Sequence, residues 1–202
     1  MEFELSPEAE TRRRAAALTQ LGIDLYDRGR YDAGATAFER ALALEPGRVR
    51  AIRGEALCLS QLGRAGEALN HAEEAVKLAP ESGLAYATLG LVLHRLGRGE
   101  EAREAFRRGL EYTPDDYRGY YNFACYWAEV GDEKRCRRFL EPALELAPET
   151  FGQTALNDPD LARYSREKWF ADLVAAHRSR SATWQPGEAG LKYKGPRPDA
   201  QL

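Results

Sequence analysis

Proline recurs at Pro46, Pro80, Pro114 and Pro148, and glycine at Gly29, Gly63, Gly97 and Gly131, each series with a spacing of 34 residues. Two independent series at one period mark a chain built by repeating a single supersecondary unit. Amphipathic sequence runs between these punctuation points. In the third unit Tyr86, Leu89, Gly90 and Leu93 share one face of a first helix, and Ala102, Phe106 and Gly109 share one face of a second. Both sets follow the three-and-four spacing of a helix with one buried side. Each periodic glycine falls where a first helix must end, because glycine adopts the left-handed C-cap conformation without a Cβ clash. Each periodic proline closes a second helix, since it has no N–H to continue the ladder. The unit is a helical hairpin whose apolar face is covered only by stacking on its neighbours.

Four units are laid out at 15–48, 49–82, 83–116 and 117–150. The first carries Leu18, Leu21, Gly22, Leu25, Gly34, Phe38, Ala41 and Pro46; the second Ile52, Ala56, Leu59, Ala68, Ala72, Ala75 and Pro80. The third carries Tyr86, Leu89, Gly90, Leu93, Ala102, Phe106, Gly109 and Pro114; the fourth Tyr120, Phe123, Ala124, Trp127, Cys136, Leu140, Ala143 and Pro148. This pattern resembles the tetratricopeptide repeat (TPR) family, over 136 of the 202 residues. The resemblance implies an all-α fold, a right-handed α-solenoid of antiparallel helix pairs. It says little of function, because one scaffold presents many surfaces. The fourth unit departs from the pattern at Pro142, which should kink or shorten its second helix at a cost of about 3 kcal/mol.

The flanks differ from the repeats. Residues 1–14 form an N-terminal segment and a helix extension, with Ser6-Pro7-Glu8 as a helix start: an oxygen acceptor, a proline at the first position and an acid on the positive end of the dipole. After Pro148 the period fails. Residues 149–157 read as a further first helix, interrupted by the turn signal Asn157-Asp158-Pro159. Leu161, Tyr164, Trp169, Phe170, Leu173 and Val174 then make an aromatic-rich amphipathic segment ending near His177, and residues 151–178 are expected to be a helical cap. Residues 179–202 are expected to be a flexible basic tail in which Trp184, Leu191 and Tyr193 could anchor on a partner or on the protein's own groove. From Arg178 onward five basic and two acidic residues give +3, leaving 24 basic and 30 acidic groups, or -6, on residues 1–177.

Composition excludes several function classes. The 29 basic residues, of which 24 are Arg, stand against 32 acids for a formal net charge of -3. A dedicated nucleic-acid binder normally shows a strong basic excess. The acidic start lacks the features of a secretory signal and no apolar run is long enough to span a bilayer, so no membrane association is expected and a cytoplasmic location is. Cys58, Cys125 and Cys136 lack metal-site spacing and read as small buried hydrophobes. His71, His94 and His177 are isolated in sequence. No glycine-rich phosphate loop follows a strand, and the acid pairs Glu73-Glu74, Glu100-Glu101 and Asp115-Asp116 fall at helix starts or turns. No catalytic residues, metal site or cofactor are expected.

The resemblance implies a concave groove lined by positions 2, 5, 9, 12 and 13 of each first helix. Carried over, these positions make Tyr26, Arg50, Arg53, Leu57, Leu91, His94, Arg95, Arg118, Tyr121 and Cys125 the expected ligand-binding residues. Ile23, Leu57, Leu91 and Tyr121 are apolar at positions turned from the core, which fits a peptide groove. Arg50, Arg53, Arg95 and Arg118, opposed by Asp27 and Glu129, form an expected basic strip suited to carboxylates. The family subclass that clamps an acidic C-terminus is not supported in one register, where its positions read Thr19, Ile23, Gly54, Leu84 and Thr88. Shifted by one repeat it is at best a partial match, with Arg53, Leu57, Thr88, Arg118 and Asn122. The plainer reading of the arginines is a solvated or internally paired face. The functional expectation is a non-catalytic adaptor or scaffold that binds an acidic, mixed acidic-apolar or C-terminal peptide. The alternatives are a cargo or assembly chaperone shielding an apolar segment, and a homo-oligomer self-associating through Trp169, Phe170 and the C-terminal aromatics.

Overall fold

The computed structural model describes residues 6–147 and 155–181, and their regular structure is helical with no strand among them. The elements, in chain order, are α1 (Pro7–Asp27), α2 (Tyr31–Leu44), α3 (Val49–Gln61), α4 (Ala65–Leu78), α5 (Gly83–Arg95), α6 (Gly99–Tyr112), α7 (Tyr117–Val130) and α8 (Glu133–Leu146). A 3-10 helix, η1 (Pro159–Tyr164), and α9 (Lys168–Ser181) follow. The periodic Pro148, the residues before Ser6, most of the proposed further helix at 149–157 and the tail with Trp184, Leu191 and Tyr193 lie outside the described residues.

Local chemistry explains the ends. Ser6 Oγ accepts the Ala9 N–H at 3.2 Å and Pro7 opens α1, as the serine-proline pair predicts. Gly29, Gly63, Gly97 and Gly131 have φ of 71°, 76°, 76° and 88°, the left-handed values their period requires. Arg64 and Arg98 precede α4 and α6 and grip Glu67 and Glu101 through two parallel hydrogen bonds each, at 2.6–2.7 Å. The pair is reversed at α8: Asp132 caps the helix by accepting the Arg135 N–H at 2.9 Å, and its carboxylate holds the Arg135 guanidinium at 2.6 Å.

Two expectations are corrected. Helix α8 is not shortened at Pro142; its 14 residues equal those of α2, α4 and α6. Pro142 removes one backbone donor, whereas Phe139, Leu140, Ala143 and Leu144 around it are all buried, and that packing outweighs one missing bond. Helix α9 continues past His177 to Ser181, because nothing between Arg178 and Ser181 is a glycine or proline that would stop it.

The chain divides into two compact units between Ala105 and Phe106, within α6. The core of the N-terminal unit is rich in alanine: Ala41, Ala51, Ala56, Ala68, Ala72, Ala75 and Ala85 are fully buried. Such small contacts let helix axes approach closely. Phe38 of α2 is the large side chain that keys into them. A Cβ at Gly22 of α1 would lie 2.7 Å from the Phe38 ring, and one at Gly54 of α3 would overlap that ring outright. The C-terminal unit is held by aromatics instead. Phe123 of α7 lies 4.7 Å from Phe106 of α6 and 4.3 Å from Phe139 of α8, ring centre to ring centre.

Candidate functional site

The first helices of the N-terminal unit are laced together along one side. Arg50 of α3 donates to Gln20 Oε1 of α1 at 3.4 Å, and Gln61 Nε2 of α3 donates to Tyr26 Oη of α1, also at 3.4 Å. On the other flank, Arg53 Nε donates to the Leu84 carbonyl at 3.0 Å and to Thr88 Oγ1 at 3.2 Å, both on α5. Helical spacing puts Arg50, Arg53, Leu57 and Gln61 on one side of α3, and Leu84, Thr88, Leu91 and Arg95 on one side of α5. The cross-helix bonds set these sides next to each other. Tyr26, Arg50, Arg53, Leu57, Leu91, His94 and Arg95 are thus brought together within one unit. Arg50 and Arg95 are exposed, while Tyr26, Arg53, Leu57, Leu91 and His94 are half-buried.

The charge of this face is less uniform than the expected basic strip. Arg53 is an internal brace whose guanidinium bonds α5. The α1 edge is acidic: burial, and then the neighbouring Asp24 carboxylate, raise the Asp27 carboxyl above its ordinary value. Asp24 itself accepts from Gln20 Nε2 at 2.9 Å. Ile23, expected to face a ligand, packs against the core cluster of Phe38, Ala41, Ala51 and Cys58. Its apolar character is explained without a ligand.

The fourth pair, in the C-terminal unit, presents a different picture. Tyr121 and Cys125 are 6% and 4% exposed and do not line an open surface. The segment after Asn157 lies on α7. Tyr121 Oη donates to Asp158 Oδ2 at 2.6 Å, Leu161 and Tyr164 of η1 are buried, and the Arg163 guanidinium occupies the space beside Gly131. Burial pushes the Tyr121 hydroxyl well above its ordinary range. Arg118 is exposed but committed: Asp116 caps α7 through the Arg118 N–H at 3.0 Å and holds its guanidinium at 2.9 and 2.7 Å.

The three cysteines are buried free thiols. Burial pushes Cys58 and Cys136 up to about 12 and Cys125 well above its ordinary value, so none is poised as a nucleophile. His71 is less isolated in space than in sequence, with Glu55 and Glu74 each 3.9 Å away. Among the described residues no group of three or more His, Cys, Asp or Glu has the arrangement to hold a metal ion. Nor is any described helix long and apolar enough to cross a membrane. Sequence reasoning missed Gln20 as a polar link of the face. Its signal was the helical register it shares with Asp24.

Consecutive helix pairs closed by left-handed glycines, with a laced side of first helices, define an α-solenoid repeat protein. Tetratricopeptide repeat models match residues 19–69 and 61–123, and the chain belongs to the tetratricopeptide repeat family. A thermophilic TPR protein of Thermus thermophilus is similar in structure at TM-score 0.64 and 24% identity, over 86% of this chain and 93% of that one. The first TPR domain of human RPAP3 superposes at 0.51 with 18% identity, over 68% of this chain and 98% of that domain. A mutant Thermobaculum terrenum O-GlcNAc transferase matches at 0.55 with 24% identity, over 72% of this chain and 27% of that enzyme. A search of curated proteins found no significant match. These structural likenesses show the fold. Family membership supports a protein-interaction role, and proteins of this fold are generally non-catalytic scaffolds.

Proposed function

We propose that the protein is an adaptor whose N-terminal unit receives an extended partner segment on the side of α3 and α5. The observation that carries this reading is the juxtaposition of half-buried Leu57 and Leu91 with exposed Arg50 and Arg95 on neighbouring first helices. Apolar side chains that remain half-open on a rigid face offer anchors, and arginines beside them offer forked recognition of carboxylates. The partner segment carries apolar residues together with Asp, Glu or a free C-terminus. Its acidic groups lie toward α3 and α5, because Asp24 and Asp27 make the α1 edge repulsive to anions.

The test is a paired charge reversal, Arg50→Glu with Arg95→Glu, in the full chain. Both residues are exposed, so the helical circular dichroism and melting temperature are expected to stay within error of the parent. Capture of partners from the native cell is expected to fall at least tenfold, as loss of two charge-assisted contacts implies. Capture that survives the reversal would sink the reading. Arg53 is excluded from this test, since its replacement also removes the brace between α3 and α5.

A further inference from the structure

Along α1 one stripe recurs at alternating spacings of four and three: Glu10, Arg14, Ala17, Leu21, Asp24 and, at the C-cap, Arg28. That alternation keeps all six on one side of a helix, and it is the seam pattern by which one helix packs along another. The side lies opposite the one that α1 buries through Ala15, Thr19 and Gly22. All six side chains are exposed, Leu21 by 47%. Glu10, Arg14 and Arg28 join no ion pair among the described residues, and Asp24 accepts from the Gln20 amide.

The next two repeats show what such a stripe is for. Ala17, Leu21 and Asp24 correspond to Ala51, Glu55 and Cys58 of α3 and to Ala85, Leu89 and Val92 of α5. Ala51 and Cys58 are fully buried in one cluster with Phe38 and Ala41 of α2. Ala85 is buried with Ala75 of α4, and Val92 with Ala68 and Ala72 of the same helix. In the N-terminal unit, this is where a first helix receives the second helix before it. No described helix precedes α1, so its stripe is uncovered.

The order of the charges says what fits. A second α1 laid antiparallel, about a two-fold axis level with Thr19, brings its Leu21 to Ala17, its Asp24 to Arg14 and its Arg28 to Glu10. Because the axis is two-fold, each of these contacts occurs twice. A parallel pair would instead set Glu10 on Glu10 and Arg14 on Arg14, which is repulsive. The stripe is therefore complementary to itself in the antiparallel orientation.

We propose that two copies of the chain pair through antiparallel α1 helices, with Ala17 and Leu21 as the apolar centre and Arg14–Asp24 and Glu10–Arg28 as the flanking ion pairs. Exposed ion pairs contribute little strength; they fix orientation and choice of partner. A seam with so small an apolar centre belongs among weak, reversible interfaces. The proposal does not rest on the reading of the α3 and α5 face, and its test leaves those helices unaltered.

The experiment is sedimentation velocity on the full chain at low ionic strength, in a concentration series reaching about 1 mM, the weak end of specific association. The parent is expected to approach a dimer and stop there, since an isologous contact closes on itself. Arg14→Asp and Asp24→Arg each set like charges face to face twice in their own pair, and each is expected to weaken the dimer at least about tenfold. Mixed in equal amounts, these two variants are expected to regain the parental association, because only the mixed pair matches every charge. Leu21→Lys, which removes both apolar contacts, is also expected to weaken the dimer at least about tenfold. The positions are exposed, so helical circular dichroism is expected to be unchanged in every variant. A parent that stays monomeric throughout, or a dimer indifferent to the three substitutions, overturns the proposal. Mixed variants that fail to associate overturn the antiparallel register, and growth beyond the dimer overturns the two-fold closure. Cross-relaxation in the monomer between the Leu21 methyls and residues 1–5 overturns the partner, because the chain's own start would then cover the stripe.

Discussion

Helices α3 and α5 in the N-terminal unit and α7 in the C-terminal unit carry equivalent positions of one repeat, and they meet opposite surroundings. Leu57 and Leu91, at the ninth position of their repeats, remain half-open. Cys125, at the same position of α7, is 4% exposed beneath the chain that follows Asn157. The arginines divide in the same way. Arg50 and Arg95 reach solvent on the first face, while Arg118 on α7 is gripped by Asp116. The difference teaches that a repeat position fixes where a side chain sits on its helix but not what lies over it. A face of this kind is available to a partner only where the chain does not cover it itself.

The cover on α7 can be loosened directly. Leu161→Ala, at a fully buried position of η1, is expected to cost about 3 kcal/mol, measured by urea unfolding. It should also make Cys125 react with a thiol reagent under native conditions, where the parent protein protects it. Unchanged protection of Cys125 in that variant would break the contrast between the units.

The open unit is sharpened by its own steric key. Gly54→Ala forces a methyl into the Phe38 ring and is expected to lower stability by about 2 kcal/mol, with partial recovery in the double variant Gly54→Ala, Phe38→Leu. Recovery would show that the unit is limited by packing between α2 and α3. If the single variant is as stable as the parent, the helices have room that the Phe38 contact denies them.

The smallest expected effect concerns the reversed pair at α8. Asp132→Ala removes the helix cap and is expected to cost about 1 kcal/mol near neutral pH. The Arg135 N–H, followed by the Arg135 guanidinium, holds the Asp132 carboxyl below its ordinary value of 3.8. A carboxyl depressed in the folded state stabilises fully above its unfolded value, and that contribution fades as pH falls through the folded one. The difference between parent and variant should therefore be constant from neutrality down to about pH 5 and shrink below about pH 4. A difference that grew in acid would reverse the assignment.

Much of the fold was legible because its signals are local. The left-handed glycines, the prolines two residues past α2, α4 and α6 and the Ser6 cap each act within one turn of helix. The C-terminal segment was legible as a turn followed by an aromatic helix, though not where it would lie. The candidate face was read less completely. Arg50, Leu57, Leu91, His94 and Arg95 lie on α3 and α5, whereas Ile23 and Tyr26 of α1 both pack against the Phe38 cluster. Arg53 serves as a brace, and Tyr121 and Cys125 are covered. No feature of the residues themselves distinguishes Arg53 from Arg50, three positions apart on one helix. The distinction comes from the Leu84 carbonyl and Thr88 hydroxyl supplied by α5.

The amino-acid sequence by itself determined the helix pairs and their ends, because a backbone dihedral or a missing N–H is decided by neighbours a few residues away. The tertiary structure alone decided which of the periodic positions face solvent. The contacts that settle it join residues 31, 35 and 37 positions apart, Arg53 to Leu84, Arg53 to Thr88 and Tyr121 to Asp158. Exposure is a property of what packs over a side chain, and in this protein that is supplied by the next repeat or by the segment beyond the last one.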